Sequence, residues 1–336
     1  MVQLSVGLPG NRPLGDYLAL ARLAEDYGFH TLSIFDDLLF KPAWPILFTI
    51  AGQTSRIRLG PSVANPYLIH PAILAEYAAL LDEATGGRTY FGIGRGAFLD
   101  SVNTATPRPL TAVREAIELA RHLLRGDTAP YTGQIFQTTP GTRLTWQPPR
   151  HTIPIMVGTW GPRMARMAGG LADEVKAGSC WSAPYGRMLR DEIDAGARAA
   201  NRDPSQVQLV LGPLTAISDD RAAAQAHARR TLTFYLPYLA PMPAFAGLDP
   251  ELLARINAAT AQGNIDHAAA LISDDHLDQF ALYGTPHDCI AGIERLVAET
   301  GVGRVEFGAP HSPDGPATAI HLLGKHVIPH FRHGWT

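Results

Sequence analysis

GPSVANPYLIHP, Gly60 to Pro71, and GGRTYFGIGRG, Gly86 to Gly96, decide how this chain is read. In each, a short apolar run ends among glycines, prolines and small polar side chains. A buried parallel strand delivers its C-terminal end to a ligand in this way. These runs place strand three at Ile57 to Val63 and strand four at Thr89 to Ile93. Upstream, Leu4 to Leu8 and Thr31 to Phe35 read as strands one and two, with a helix from Leu14 that ends near Gly28 between them. Pro45 to Ala51 and Ala72 to Ala84 are helices, the latter with Pro71 at its first turn. Downstream, a helix over Leu110 to Leu124 precedes strands at Ile153 to Val157, Glu174 to Ala177 and Val207 to Ile217. Helices follow these at Arg163 to Gly169, Tyr185 to Ala200 and from Arg221. Cys289 to Thr300 is a helix, Val305 to Phe307 strand eight, and Ala317 to Ile328 the closing helix.

Eight strands, each followed by a helix, predict an α/β chain folded as a (β/α)8 TIM barrel. A doubly wound sheet would carry a dinucleotide fingerprint in its first βα turn. That turn here is GLPGNRPLG, and no acid closes the second strand at the matching distance. Two segments interrupt the rhythm. Gly126 to His151, rich in Thr, Pro and Gly, is expected to be an irregular excursion with a small hairpin. Residues 236–283 begin with LPYLAPMPAFAGLDP, four prolines in fifteen residues, and continue with helical stretches from Glu251 and Ile265. They read as an insertion between strands seven and eight, a lid within one domain spanning 1–336. A linker would need a polar, flexible run that is absent.

Composition narrows the function. A chain of 336 residues with 46% hydrophobic content buries a large core. A net charge of -3 with scattered basic residues gives no field for nucleic acid. No apolar run is long enough for a membrane helix, and the N-terminus does not read as a signal peptide. Two cysteines, Cys180 and Cys289, make no disulfide framework. A cytoplasmic location is expected, by exclusion. The thirteen histidines show no metal-ligand spacing, so no metal is expected.

Barrel chemistry sits at the C-terminal strand ends. Those ends hold few strong acids or bases. A hydrolase would want paired carboxylates or an activated nucleophile, whereas a mouth of glycines and donors suits a bulky cofactor that brings its own chemistry. Asp36 and Asp37 are the adjacent acids at a strand end, as acceptors or proton carriers, or as a helix cap. Asn65 either meets a heterocycle edge or makes an Asx-turn before Pro66. His70 either touches ligand or caps a helix. In GIGRG, the small residues Gly94 and Gly96 around Arg95 let a flat ring or a backbone approach. GTWGPR, with Gly158, Thr159, Trp160, Gly161, Pro162 and Arg163, joins a strand end to a helix N-terminus. It is read as a phosphate site with Arg163 as bidentate partner, or else as a plain capping turn. Cys180 reads as a buried thiol.

On RLGPSVANPYLIHP, LDEATGGRTYFGIGRG, the GPR turn and YGTPHDCIAGIERL, the chain resembles the luciferase-like flavin and deazaflavin oxidoreductases. The nearest branch is that of the coenzyme F420-dependent methylene-tetrahydromethanopterin reductases. The resemblance covers nearly the whole chain and implies a TIM barrel with an insertion after strand seven. It also implies a non-proline cis peptide, Ser62–Val63, behind the cofactor's central ring. Ser62, Val63, Ala64 and Asn65 would then contact that ring, and the Gly158–Arg163 turn would take cofactor phosphate. Asp37 stands where the family usually has histidine, Ala97 where the branch often has aspartate, and Gly7 and Leu8 where the methylene reductases carry a glutamate. These departures count against the pterin substrate and leave the cofactor expectation standing.

The expected activity is hydride transfer between F420 and a small organic substrate. Asp36, Asp37 and His70 are the candidate catalytic residues, and Tyr235, Tyr238 and Phe245 an apolar lid. One alternative is an FMN-dependent monooxygenase using reduced flavin and O2, supplied by a separate reductase. Another is a non-catalytic flavin-binding protein. The family suggests a homodimer, with helices 72–84 and 110–124 as candidate contacts.

Overall fold

In the computed structural model, which describes residues 2–332, period-two alternation builds a ring of parallel strands. In chain order the elements begin with β1 (Gln3–Leu8), α1 (Leu14–Tyr27), β2 (Thr31–Ile34), α2 (Ala43–Ala51), β3 (Arg58–Pro61), α3 (Pro71–Thr85), β4 (Phe91–Gly94) and α4 (Pro109–Leu124). Next come β5 (Ile155–Gly158), α5 (Pro162–Leu171), β6 (Glu174–Gly178), α6 (Ala183–Ala199), β7 (Gln208–Gly212), β8 (Leu214–Ile217) and α7 (Arg221–Tyr235). The chain continues through α8 (Met242–Phe245), α9 (Pro250–Ala261), α10 (Ile265–Ala270), α11 (Asp274–Leu277) and β9 (Ala281–Gly284). It closes with α12 (Pro286–Thr300), β10 (Arg304–His311), α13 (Pro316–Leu322) and α14 (Ile328–Arg332).

The parallel order is β3-β2-β1-β10-β7-β6-β5-β4, and the bridges Leu59↔Thr89 and Ala64↔Ile93 bring β3 to β4. The expected TIM barrel is therefore present. Its outward positions are apolar and packed under the helices: Leu4, Val6, Leu32, Ile34, Ile155, Val157, Val305 and Phe307 are all buried.

Three boundaries differ from the sequence reading. The expected seventh strand is two strands, because Pro213 has no N–H for the ladder; β8 leaves the ring path to pair with β10 and with β9. The segment read as insertion up to 283 therefore ends inside the sheet, in β9. Strand eight runs to His311 rather than Phe307, past a register shift after Gly308. The excursion 126–151 holds its expected hairpin bridge, Thr132↔Gln137. Buried Glu115 on α4 anchors it by accepting the backbone N–H groups of Gln134, Ile135 and Phe136 at 2.8, 2.8 and 3.1 Å.

Candidate active site

The interior of this barrel is charged, where such barrels usually stack branched aliphatics. Two strands carry the pattern charge–apolar–charge–apolar–Gly: EVKAG, 174–178, and RVEFG, 304–308. Alternation turns all four charges to the barrel axis, and Glu174, Lys176, Arg304 and Glu306 are buried. In the lower layer Glu174 is paired with both Arg304 and Arg58. Above it Lys176 is paired with Glu306, whose second oxygen accepts from Ser33 at 2.7 Å and lies 3.7 Å from Arg304. The Tyr90 hydroxyl donates to Ser33 at 2.7 Å, and Lys176 Nζ donates upward to Ser62 Oγ at 2.7 Å. Burial opposes ionisation of Glu306, yet Lys176 and Arg304 hold its carboxyl below the usual range. Burial draws the Lys176 ammonium down from its ordinary value, against the pull of Glu306.

This column ends under Ser62–Val63, a cis peptide as the resemblance implied; Ala240–Pro241 is also cis. The segment is tied in by Ser62 N–H to Ile34 O at 2.7 Å and Ala64 N–H to Gly92 O at 3.0 Å. The glycines around it have a more specific use than open access for a ring. A Cβ at Gly158 would lie 2.8 Å from Val63 Cγ1, and one at Gly94 would lie 2.8 Å from Val63 Cγ2. Val63 fills the space both lack, so the glycines let the backbone bulge seat itself. Gly96, at φ +92, lies against Asn65. Around Gly178, at the end of β6, there is open space.

The singled-out side chains divide by role. Asp36 uses one oxygen to accept from Ala43 N–H at 3.0 Å, capping α2, so its part is structural at that atom. Asp37 has no such duty. Burial and the neighbouring Asp36 push its carboxyl up to about 6, with Lys176 pulling the other way. The Asn65 carboxamide oxygen makes the Asx-turn, accepting from Tyr67 and Leu68 N–H at 3.2 and 3.0 Å, which leaves its Nδ2 for a ligand. His70 is a helix cap, its Nδ1 accepting from Ala72 N–H at 3.2 Å. Arg95 is exposed at the rim.

At β5, Gly161 precedes Pro162 at the start of α5 with no side-chain cap on the helix. Thr159 Oγ1 accepts from Gly161 N–H at 2.9 Å, Trp160 Nε1 donates to Gly178 O at 2.7 Å, and exposed Arg163 stands in the first turn. The uncapped N–H groups of that turn are available to an anion. Cys180 is buried and its thiol pushed up to about 12, as a thiol in apolar surroundings should be.

Sequence reasoning missed Lys176, Glu306, Glu174, Arg304 and Arg58. The repeated charge alternation in EVKAG and RVEFG was the available signal. Over the mouth, Phe98 meets Tyr238 edge-on at 4.5 Å, and Phe245 meets Tyr185 at 4.8 Å. Burial and the charge of Asp37 push the Tyr235 hydroxyl up to about 12. Among the described residues no three His, Cys, Asp or Glu side chains cluster as metal ligands, and no helix is long and apolar enough to cross a membrane.

Comparison with known proteins agrees with this geometry. The model of the family described as luciferase-like monooxygenase matches residues 2–304. A 5,10-methylenetetrahydromethanopterin reductase of Archaeoglobus fulgidus is 32% identical, over 92% of this chain and 93% of its own. An F420-dependent glucose-6-phosphate dehydrogenase of Nakamurella multipartita is 25% identical over 93% and 91%. The solved coenzyme F420-dependent tetrahydromethanopterin reductase of Methanopyrus kandleri superposes with a TM-score of 0.91 at 28% identity, covering 98% of this chain and 99% of that one.

Proposed function

The chain belongs to the luciferase-like monooxygenase family, and from that premise we propose that it is an oxidoreductase that transfers a hydride between coenzyme F420 and a small organic substrate. The observation that carries the reading is the seated Ser62–Val63 bulge, filled by Val63 between Gly94 and Gly158 and hydrogen-bonded from below by Lys176. The residues present fit a tricyclic ring with an anionic tail. The bulge offers a flat support, Asn65 Nδ2 a donor, and the open space around Gly178 room. The Gly158–Arg163 turn leads into the first turn of α5, where the N–H groups of Arg163 and Met164 carry no side-chain cap, and it brings the Arg163 guanidinium. When bound, the deazaflavin supplies the hydride at its ring carbon five.

The protein's own part is position and proton handling. Ser62, Val63 and Ala64 would hold the ring, with Gly94, Arg95 and Gly96 beside them. His70, with Nδ1 engaged in capping, presents Nε2–H to the rim. Asp37, with its carboxyl pushed up to about 6, holds or releases a proton at a carboxylate oxygen near neutral pH. Asp36 keeps the β2–α2 turn in place. The stretch 236–280, with Tyr235 just before it, closes over the mouth as a lid that excludes water, its last residues leading into β9.

A second copy of the chain is the proposed partner. α3 exposes Ile73, Tyr77 and Leu80, spaced along one helix face, with Leu68 beside them. The apolar residues of α4, by contrast, are buried against the barrel, so the contact falls on α3. Two buried thiols, Cys180 and Cys289, suit a reducing cytoplasm.

Titrating the protein with F420 and, separately, with FMN tests the reading. Saturable fluorescence quenching by F420, followed by turnover of reduced F420 with an acceptor, is the expected result. Binding of FMN alone, with O2 consumption, would assign the site to the monooxygenase chemistry. Binding without turnover of any acceptor would leave a storage protein.

A further inference from the structure

We propose that the wall made by β1, β10 and α7 binds an anionic group of the substrate, a carboxylate or a phosphate, with Arg12 and His311 as its donors. The inference rests on the oxidoreductase reading and deepens it by naming the substrate class. In the ring order, β1 lies four strands from β5, so this wall is diametrically opposite the α5 turn assigned to the cofactor. A substrate facing the ring from the other side would reach it.

The corner is cationic and unsatisfied. His227 of α7 and His311, the last residue of β10, stack face to face with centroids 3.7 Å apart and planes 8° from parallel. His227 Nε2 is engaged with Thr231 Oγ1 at 3.1 Å. His311 Nδ1 is buried and has no partner. Arg12 Nε is likewise buried without a partner, and among the described residues its guanidinium has no ion pair. The loop carrying Arg12 is fixed, its backbone N–H donating to Tyr17 OH at 3.2 Å while that hydroxyl donates to Pro9 O at 2.7 Å.

Two buried ring and guanidinium nitrogens without partners, Arg12 Nε among them an obligate donor, are unfavourable to leave unmet. One oxyanion accepting from both would remove that cost, and Arg is the side chain suited to forked recognition of carboxylate or phosphate. The charges acting on the stacked pair are cationic. Burial, then His311 and Arg230, lower the His227 imidazole to about 4, and burial, then Arg12, lower that of His311. Of the acids around it, Asp37 bears on Tyr235 at the end of α7, Asp16 bears on Tyr17, and Asp266 is already paired with Arg230. An arriving anion therefore supplies the charge that the corner lacks.

Histidine-selective 13C NMR of the whole protein reads the site directly, with inorganic phosphate and acetate as separate probes at constant ionic strength. A saturable shift of the His227 and His311 signals with one or both anions is expected; which anion binds tighter distinguishes phosphate from carboxylate. Arg12→Gln should weaken that binding by at least about tenfold, while Arg12→Lys, keeping the charge without the fork, should fall between. F420 affinity should be the same in all three proteins. No saturable shift with either anion, or equal binding by R12Q and wild type, overturns the proposal. Loss of F420 affinity in R12Q would give the corner to the cofactor and also overturn it. Failure of the wild type to bind F420 while the anion response persists would instead sink the oxidoreductase reading alone.

Discussion

Replacing Lys176 with methionine keeps the apolar stem and removes the ammonium at the centre of the barrel. Three interactions go: the pair with Glu306, the 2.7 Å donation to Ser62, and the placement 5.2 Å from the Phe35 ring centroid. Glu306 is then buried with Ser33 at 2.7 Å and Arg304 at 3.7 Å as its remaining support. Stranding one partner of a buried pair costs about 3–5 kcal/mol. The retained arginine puts K176M near the lower end, at about 3 kcal/mol. The double variant K176M/E306Q removes both charges, so it should be more stable than K176M by about 1–2 kcal/mol. Urea unfolding of wild type, K176M, E306Q and the double variant, followed by tryptophan fluorescence and far-UV circular dichroism, completes the cycle. K176M should also bind F420 more weakly, because Ser62 loses the donor that fixes it. A K176M midpoint within about 0.5 kcal/mol of wild type, or strictly additive single variants, would refute the claim that this pair holds the column together.

Glycine substitutions separate seating from access. Gly158→Ala would place a Cβ 2.8 Å from Val63 and should destabilise by about 1–3 kcal/mol, whereas Gly178→Ala meets nothing within 4 Å and should melt like wild type; equal thermal melts for both would count against the seating argument. Asp37 has a folded-state carboxyl at about 6 against an ordinary 3.8, so its favourable contribution is complete below the ordinary value and is lost as pH rises through about 6. Asp37→Asn should therefore match wild type near pH 4 and exceed it by roughly 2–3 kcal/mol at pH 8, a difference that urea midpoints at the two pH values measure. Leu80→Glu, on the exposed face of α3, should convert the proposed dimer to a monomer in sedimentation velocity with little change in melting; an unchanged sedimentation coefficient would remove α3 from the contact.

The ring was legible because its outer face obeys simple rules. Val6, Ile34, Ile93, Val157 and Phe307 sit in short runs ended by glycine, proline or, after Phe35, by Asp36 and Asp37, and each run is followed by a helix. The split of strand seven was also written in the chain, at Pro213, but a proline inside an apolar run looks the same whether it ends a strand or redirects one. β9 was hidden because ALYG is too short for alternation to show. At the site, the GPSVAN and GTWGPR turns were recognisable as strand ends. The duties of Asp36, Asn65 and His70 were not, since capping and ligand contact draw on the same polar residue types. The charged interior escaped notice because its partners lie far apart in the chain. Arg58 and Glu174 are separated by 116 residues and Ser33 and Glu306 by 273, and only ring closure brings them within reach.

The lower ionic layer also constrains how the chain can assemble. Arg58 belongs to the first four strands, and both of its companions, Glu174 and Arg304, belong to the later ones. A fragment ending after β4 would hold a guanidinium on its concave side with no counter-ion and no opposing wall. The later strands carry two cations and two carboxylates on the same axis and are neutral among themselves. An excised N-terminal piece should accordingly stay solvated and open, and mixing it with the complementary piece should restore structure in one concerted step. In this barrel the carboxylate that Arg58 needs arrives only with the sixth strand, so the early strands gain their partner when the late ones close the ring.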